Sequence, residues 1–332
     1  MKKNHRILVT GGAGYIGAVL VPKLLDKGYH VTVFDNLTYS DIGIKKNYGR
    51  KGFTLIEGDI RDVTKIKEAL VDSNCVIHLA AISNDPSAEL DQKLTQEINY
   101  KAYHHLIQEA KQAGVQRFIN PSSIGVYGIN FETNVKESEA LNPLTEYARC
   151  KVKSEQLLKE QNSADFTTVS LRCGTVCGWS PRMRFDLSVN TLTAVALNTK
   201  RLTVWGGSQM RPQIHIDDIT NFFLELITVS AEKIGGKIFN AAGHNTTVMQ
   251  IAETIKALLN NKLELINAPA RDDERSYCVN SDFIKNELGL FPQKTITNAI
   301  EEIINAYNNG EWKDYTDPIY TNVKQIKKIN LA

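Results

Sequence analysis

No hydrophobic stretch of this chain approaches the ~20 residues that cross a bilayer, so a membrane-spanning helix is excluded. The start, Met1 to Arg6, is basic, but Gly11, Gly12 and Gly14 interrupt the apolar run behind it at once, and no signal peptide is expected. Charge of one sign is also missing. The formal balance is +2, too small for a nucleic-acid stripe or a membrane-seeking face, and the doublets Lys45–Lys46 and Lys327–Lys328 read as solvated surface. Cysteine is sparse: Cys75, Cys150, Cys173, Cys177 and Cys278 are an odd, scattered set, a poor disulfide framework that fits a reducing cytoplasm. Cys173 and Cys177 have no histidine cluster near them, so no zinc site is expected, and no other metal. Internal repeats and low-complexity linkers are absent. What remains is ordinary for a globular chain, with 42% hydrophobic and 23% charged residues over 332 positions. That length suits one large α/β domain, or a cofactor domain with a smaller partner.

The first half alternates short apolar runs with longer amphipathic ones. Strands are predicted at Arg6–Thr10, His30–Asp35, Phe53–Glu57, Cys75–Leu79, Gln116–Asn120 and Phe166–Arg172. Helices are predicted at Tyr15–Lys27, Val63–Val71, Asp91–Ala113 and Leu144–Gln161. Alternation at this spacing implies right-handed crossovers, hence a doubly wound parallel sheet of the dinucleotide-binding kind. After Arg172 the rhythm changes, with Gly178, Pro181, Gly206, Gly207 and Pro212 breaking the pattern. Helices resume at Arg184–Asn198, Asp217–Val229, Thr246–Leu259, Asp282–Leu288 and Ile296–Tyr307. The division that follows is a dinucleotide-binding domain over 1–173, a mixed α/β substrate lobe over 174–312, and a tail over 313–332 without clear period. The chain is expected to cross back to the main sheet near Lys237–Ala241.

Residues Ile7 to Gly17 read ILVTGGAGYIG, an apolar strand running through glycines into a helix. Glycines let the backbone bend and approach a pyrophosphate, while the free N–H groups and positive dipole end of the helix hold the anion. Two registers fit, Gly12-x-Gly14-x-x-Gly17 and Gly11-x-x-Gly14-x-x-Gly17. The second strand ends at Asp35, 18 residues after Gly17. An acid there accepts hydrogen bonds from the adenosine ribose of NAD and repels the 2′-phosphate of NADP. The plainer role for it is to cap the turn at Asn36.

A tyrosine phenol, with a pKa near ~10, is a poor base unless a cation stabilises the phenolate. A lysine four residues on along a helix shares its face. Tyr147-Ala-Arg-Cys-Lys151 has that spacing, and so do Tyr320 and Lys324. The first pair is preferred for its place after the fifth strand, which ends in Ser122 and Ser123, where doubly wound sheets keep their active sites. Ser123 can hydrogen-bond a reacting hydroxyl or ketone.

Together these segments, from about 6 to 307, resemble the extended short-chain dehydrogenase/reductase family, in its nucleotide-sugar epimerase and dehydratase branch. The resemblance implies a Rossmann domain with a smaller C-terminal substrate-binding lobe. It selects the register starting at Gly11, with Gly14 and Gly17, and implies NAD contacts by Tyr15, Ile16, Asp35 and Asn36. Gly58-Asp59-Ile60 resembles the segment that meets adenine. Leu79, Ala80 and Ala81 resemble the strand end lining the cofactor, and Asn99 an asparagine of the following helix. Ser123, Tyr147 and Lys151 match the catalytic residues, the last two also touching the cofactor. On the substrate side it implies Ser83, Ser123, Arg182, Arg211 and Arg275, the arginines at 211 and 275 holding a sugar-nucleotide diphosphate.

Two departures narrow the outcome. The 4,6-dehydratases carry an Asp-Glu pair directly after the catalytic Ser/Thr, where this chain has Ile124 and Gly125. Cys177 replaces an aromatic before the loop Ser180 to Leu187, which resembles bacterial surface-sugar enzymes, nucleotide-heptose 4-oxidases as well as epimerases. The expected activity is therefore NAD-dependent epimerisation of a nucleoside-diphosphate sugar through transient oxidation at C4. The competing outcomes are a 4-oxidase or dehydratase and, in another class, a non-catalytic NAD-binding sensor or scaffold. The resemblance also implies a homodimer, paired through helices Asp91–Ala113 and Leu144–Gln161.

Overall fold

The computed structural model describes residues 5–130, 132, 134–269, 276 and 278–329. Its centre is a seven-stranded, fully parallel sheet built from β1 (Arg6–Thr10), β2 (His30–Asp35), β3 (Phe53–Glu57), β4 (Cys75–His78), β5 (Arg117–Ser123), β6 (Thr167–Cys173) and a later strand, Lys237–Ala241. Across the sheet the order is Lys237–Ala241, β6, β5, β4, β1, β2, β3. The strands are nearly continuous apolar runs because helices cover both faces. Ile7 and Val9 of β1 face one buried cluster, and Leu8 faces another with Phe34, Val76 and Phe118. The order reverses between β1 and β4, which opens a crevice at the carboxyl ends of these strands.

The three strand bounds Arg6–Thr10, His30–Asp35 and Phe53–Glu57 are those the pattern predicts. β5 is longer than expected. It runs through Pro121 to Ser123, although proline normally stops a central strand. The register explains this: β4 pairs with β5 only as far as Ile119, and from Asn120 onward β5 is held by β6 alone. The edge facing β4 needs no further ladder bonds there, and the strand end projects into the crevice.

The predicted helix Asp91–Ala113 is interrupted. Gln92–Gln96 is α-helical, Glu97–Ala102 is a π-helix, and Tyr103–Gln112 is α-helical again. The widened turn sets Asn99 against the chain after β4. Helix Arg184–Asn198 is also corrected: it begins at Ser188, and the residues before it form an extended loop.

Beyond β6 lie β7 (Thr175–Cys177), β8 (Arg201–Trp205), β9 (Met210–His215), β10 (the Lys237–Ala241 strand), β11 (His244–Thr247) and β12 (Glu264–Ala268). β7, β9 and β11 form one small sheet, and β8 pairs with β12. β10 returns to the main sheet beside β6, so the second lobe is stitched into the first. The tail is not aperiodic as expected. Pro318–Tyr320 forms a short 3-10 turn and Asn322–Ile329 a helix, with Asn322 and Ile326 buried.

Candidate active site

Between the lobes lies a cleft of about 680 Å³, reaching from the glycine loop to the end of β5. At its near end β1 turns through Gly11, at φ +70°. A β-carbon on Gly11 would lie 2.5 Å from the Ala80 nitrogen, and one on Gly17 would lie 2.3 Å from the Gly12 carbonyl oxygen. These glycines let β1, β4 and helix Gly17–Asp26 close on one another. Gly14 lines the cleft and has only the Gly11 oxygen, at 3.2 Å, near its missing side chain. The helix has no side-chain cap and no acid in its first turn, so its dipole end is available to an anion.

Asp35 lines the same end. Its carboxylate accepts from the Ala13 and Leu37 backbone N–H groups, both at 2.9 Å. Burial pushes its pKa up against those bonds. Ile16, Asn36, Asp59, Ile60, Leu79, Ala80 and Ala81 all line the cleft. Tyr15 does so while its hydroxyl donates to Gly178 at 2.7 Å, tying the glycine loop to the second lobe. Both Asp59 oxygens accept from Arg61. Asn99 lies behind the chain that follows β4. Its amide accepts from Ile82 N–H at 2.8 Å and donates to the Ile82 carbonyl at 2.9 Å, so it braces the turn behind the cleft wall.

At the far end the serine pair is divided by strand alternation. The Ser122 hydroxyl turns to Glu155, inside a buried chain that continues through Arg172, 2.8 Å from Glu155, to Tyr127 and Asn240. Ser123 faces the cleft and accepts from Gly125 N–H at 3.1 Å. Tyr147 stands in the first turn of helix Glu146–Glu160. Thr145 caps that turn, accepting from Ala148 N–H at 3.2 Å and donating to Asp85 at 2.6 Å. Lys151 lies one turn further, its Nζ 5.6 Å from the Tyr147 ring centre, and donates to the Pro121 carbonyl at 2.6 Å. That carbonyl lies on the β5 stretch that extends past β4. Burial pulls the Lys151 ammonium down to about 8. Burial pushes the Tyr147 phenol up, as do Asp85 and Cys173, while Arg184 and the Ser123 hydroxyl pull it back.

The loop before Ser188 supplies residues that the helix expectation concealed. Arg184 pairs with Asp186 at 2.9 Å and donates to Ser83 Oγ at 3.1 Å, which puts its charge near Tyr147. Ser83 lines the cleft. Arg182, two residues before Arg184, has its guanidinium 4.2 Å over the Tyr39 ring and donates to Asn322 at 2.8 Å. Arg211 lines the cleft from β9. Arg275 lies outside the described residues. The tail also reaches the site: Asn322 donates to Ser83 Oγ at 3.0 Å and Gln325 to the Thr38 carbonyl at 2.8 Å, across the cleft mouth. The apolar residues Val323, Ile326 and Ile329, three apart, are a helical signal in the tail, but nothing in that spacing says that Asn322 faces the cleft.

Tyr320, the second tyrosine at this spacing, stacks edge-on against Phe185, and Lys324 bonds the Thr316 carbonyl. Among the described residues one cluster, His215, Asp217 and Glu302, has metal-ligating side chains together. Its carboxylates are already paired with lysines, Asp217 with Lys23 at 2.9 Å and Glu302 with Lys294 at 2.7 Å. No helix among the described residues is long and apolar enough to cross a membrane.

Residues 7–242 match the sequence profile of the NAD dependent epimerase/dehydratase family. A UDP-glucose 4-epimerase of Haemophilus influenzae is 27% identical, over 94% of this chain and 99% of the relative. The low-salt glycan biosynthesis protein Agl12 of Haloferax volcanii is 26% identical, over 91% and 98%. Among solved structures, a UDP-N-acetylglucosamine 4-epimerase of Methanobrevibacter ruminantium, in complex with UDP-N-acetylmuramic acid, superposes with a TM-score of 0.81. It is 25% identical, covering 92% of this chain and 99% of that one.

Proposed function

The chain belongs to the NAD dependent epimerase/dehydratase family, and we propose that within it this protein is a nucleotide-sugar epimerase working by transient oxidation at C4 of the sugar. One observation carries the reading: Ser123, Tyr147 and Lys151 converge at one end of a cleft whose other end holds the glycine loop and Asp35. The residues present fit NAD. Gly11 and Gly14 leave a cradle that a β-carbon would spoil, the helix start is uncapped, and Asp35 stands at the end of β2. When bound, NAD supplies the hydride acceptor and donor.

The chain's own part is proton handling and orientation. Tyr147 takes the proton of the sugar hydroxyl as general base and gives it back in the reverse step. Burial opposes its ionisation, so cations must offset that burial, and Lys151 and Arg184 are the ones placed near the ring. Ser123 hydrogen-bonds the reacting oxygen and fixes it on the Tyr147 side. Ile124 and Gly125 offer no acid or base for water elimination, which favours epimerisation over 4,6-dehydration. Arg211 on β9, together with Arg275, holds the diphosphate of the substrate.

The test is incubation of the purified protein with UDP-, GDP-, TDP- and CDP-sugars while NADH absorbance and products are followed. The expected outcome is a C4 epimer without net NADH. A keto-sugar with stoichiometric NADH would replace this reading by a 4-oxidase, and NAD binding without turnover of any sugar by a sensor or scaffold.

A further inference from the structure

Arg182 is 2% exposed, and among the described residues no carboxylate lies within ion-pairing distance of it. Its neighbour Arg184, by contrast, is fully matched by Asp186. The Arg182 guanidinium has two partners: Nη2 donates to Asn322 Oδ1 at 2.8 Å, and the plane lies over Tyr39. Its Nε–H is buried without any partner. Asp186 and Asp35 act on it only from beyond ion-pairing distance. A buried cation so weakly compensated is costly, and an unmet guanidinium donor adds to that cost. A fold that keeps such a group in a ligand cleft holds it ready for an anion.

Its place says which anion. A β-carbon built on Gly43 would touch Arg182 Cβ at 3.1 Å, Ala18 Cβ at 3.0 Å and the Ala13 carbonyl oxygen at 2.5 Å. The root of the arginine therefore lies against the glycine loop and the start of helix Gly17–Asp26. Ser180, two residues before it, donates to the Tyr15 carbonyl at 2.8 Å and fastens this loop to the phosphate cradle. The uncapped helix end and the root of Arg182 thus lie at the same end of the cleft, with the guanidinium over Tyr39, four residues beyond Asp35. Tyr147 and Ser123, where the sugar reacts, are at the other.

We propose that Arg182 is a ligand of the cofactor's diphosphate, delivered to the glycine loop by the second lobe and held in place by Tyr39 and the tail residue Asn322. This rests on the reading of the protein as an NAD enzyme. It replaces the substrate contact expected of Arg182 from the sequence. The second lobe and the tail then take part in holding NAD, and the helix dipole shares the anion with a guanidinium fork.

The experiment measures NAD, ADP-ribose and NADP binding to the cofactor-free full chain by calorimetry, for the wild type, Arg182→Gln and Arg182→Lys. The melting temperature of each cofactor-free protein and the KM for an accepted nucleotide sugar at saturating NAD are measured alongside. Arg182→Gln should weaken NAD and ADP-ribose alike by about ten- to a hundredfold, the loss expected of a charged hydrogen bond. It should leave the sugar KM within about threefold and the cofactor-free melting temperature unchanged or higher, since an unneutralised buried charge is removed. Arg182→Lys, which keeps the charge but not the fork, should lose less and guards against a Gln variant that fails to fold. Three results overturn the proposal: unchanged NAD affinity in both variants, a rise confined to the sugar KM, or a loss for NADP well above that for NAD, which would assign the arginine to a 2′-phosphate. A wild type that binds no NAD would fail the underlying reading itself.

Discussion

Asp35 spends one lone pair of each carboxylate oxygen on the backbone N–H groups of Ala13 and Leu37. Each oxygen keeps capacity for a ribose hydroxyl, whereas a phosphate would meet a carboxylate. NAD is therefore expected to bind at least about tenfold more tightly than NADP, a difference of about 1.4 kcal/mol, and Asp35→Asn to narrow that gap. Calorimetric titration of both cofactors checks it, and equal constants in the wild type would remove Asp35 from this role. Tyr147→Phe should lower kcat by at least ~10²-fold while leaving NAD affinity and fold intact, the usual weight of a placed acid–base group. Lys151→Ala should move the rising limb of the pH–rate profile upward, because the phenol loses the cation that opposes its burial. Lys151 has a second signature. Its folded pKa of about 8 lies below the unfolded value of 10.5. Between those values the unfolded chain binds the extra proton, so this group's contribution to stability rises with pH through that window. Tyr320→Phe, which keeps the ring against Phe185, should change turnover little. Individual residues were legible where chemistry and spacing coincide, as at Asp35 and Tyr147. Arg184 and Asp186 were not, because an amphipathic run extends the apparent helix over them, and spacing says nothing of the direction in which Arg182 points.

At the scale of elements, the helix that carries Tyr147 is fixed by its first turn. Thr145 both caps that turn and reaches Asp85 on the opposite wall of the cleft. Thr145→Ala should cost about 1 kcal/mol of stability by loss of the cap, read as a lowered denaturation midpoint at constant slope. Turnover should fall by a larger factor than NAD affinity, since the turn that frays holds Tyr147, the proposed base. Equal losses would mean that the cap serves folding alone. The strands were readable from the sequence because buried parallel strands are continuous apolar runs. The end of β5 was not, because Pro121 reads as a stop and only its partnering shows that the far edge has no ladder to break. The π-turn at Asn99 was hidden for a different reason: one added residue per turn shifts a helical period without erasing it.

For the whole molecule, the homodimer implied by the resemblance would join surfaces that carry Lys101, His104, His105, Lys153 and Gln156. This face is polar, with Lys153 lying over the Tyr100 ring. A pairing there would bury little apolar area and weaken with salt. Light scattering at micromolar concentration should give a dimer mass at low salt that falls as salt is raised, and a monomer at every salt concentration would end the proposal. The doubly wound parallel sheet was foreseeable from the strand–helix rhythm, and so was the return of Lys237–Ala241. The course of the tail over the cleft mouth was not, since no local pattern in a short polar helix says what it lies against.

The return of β10 to the main sheet bears on how this protein can be dissected. The buried cluster on one face of the sheet runs without a break from Ile7 of β1 to Phe239 of β10 and Trp312. A fragment ending near residue 173 would lack β10, leaving one whole side of β6 without hydrogen-bond partners and the apolar side chains beneath it wet. Such an exposed strand edge recruits other chains. Expression of 1–173 alone should give aggregates rather than a soluble NAD-binding half, and a split between the lobes should yield working protein only when both pieces are made together.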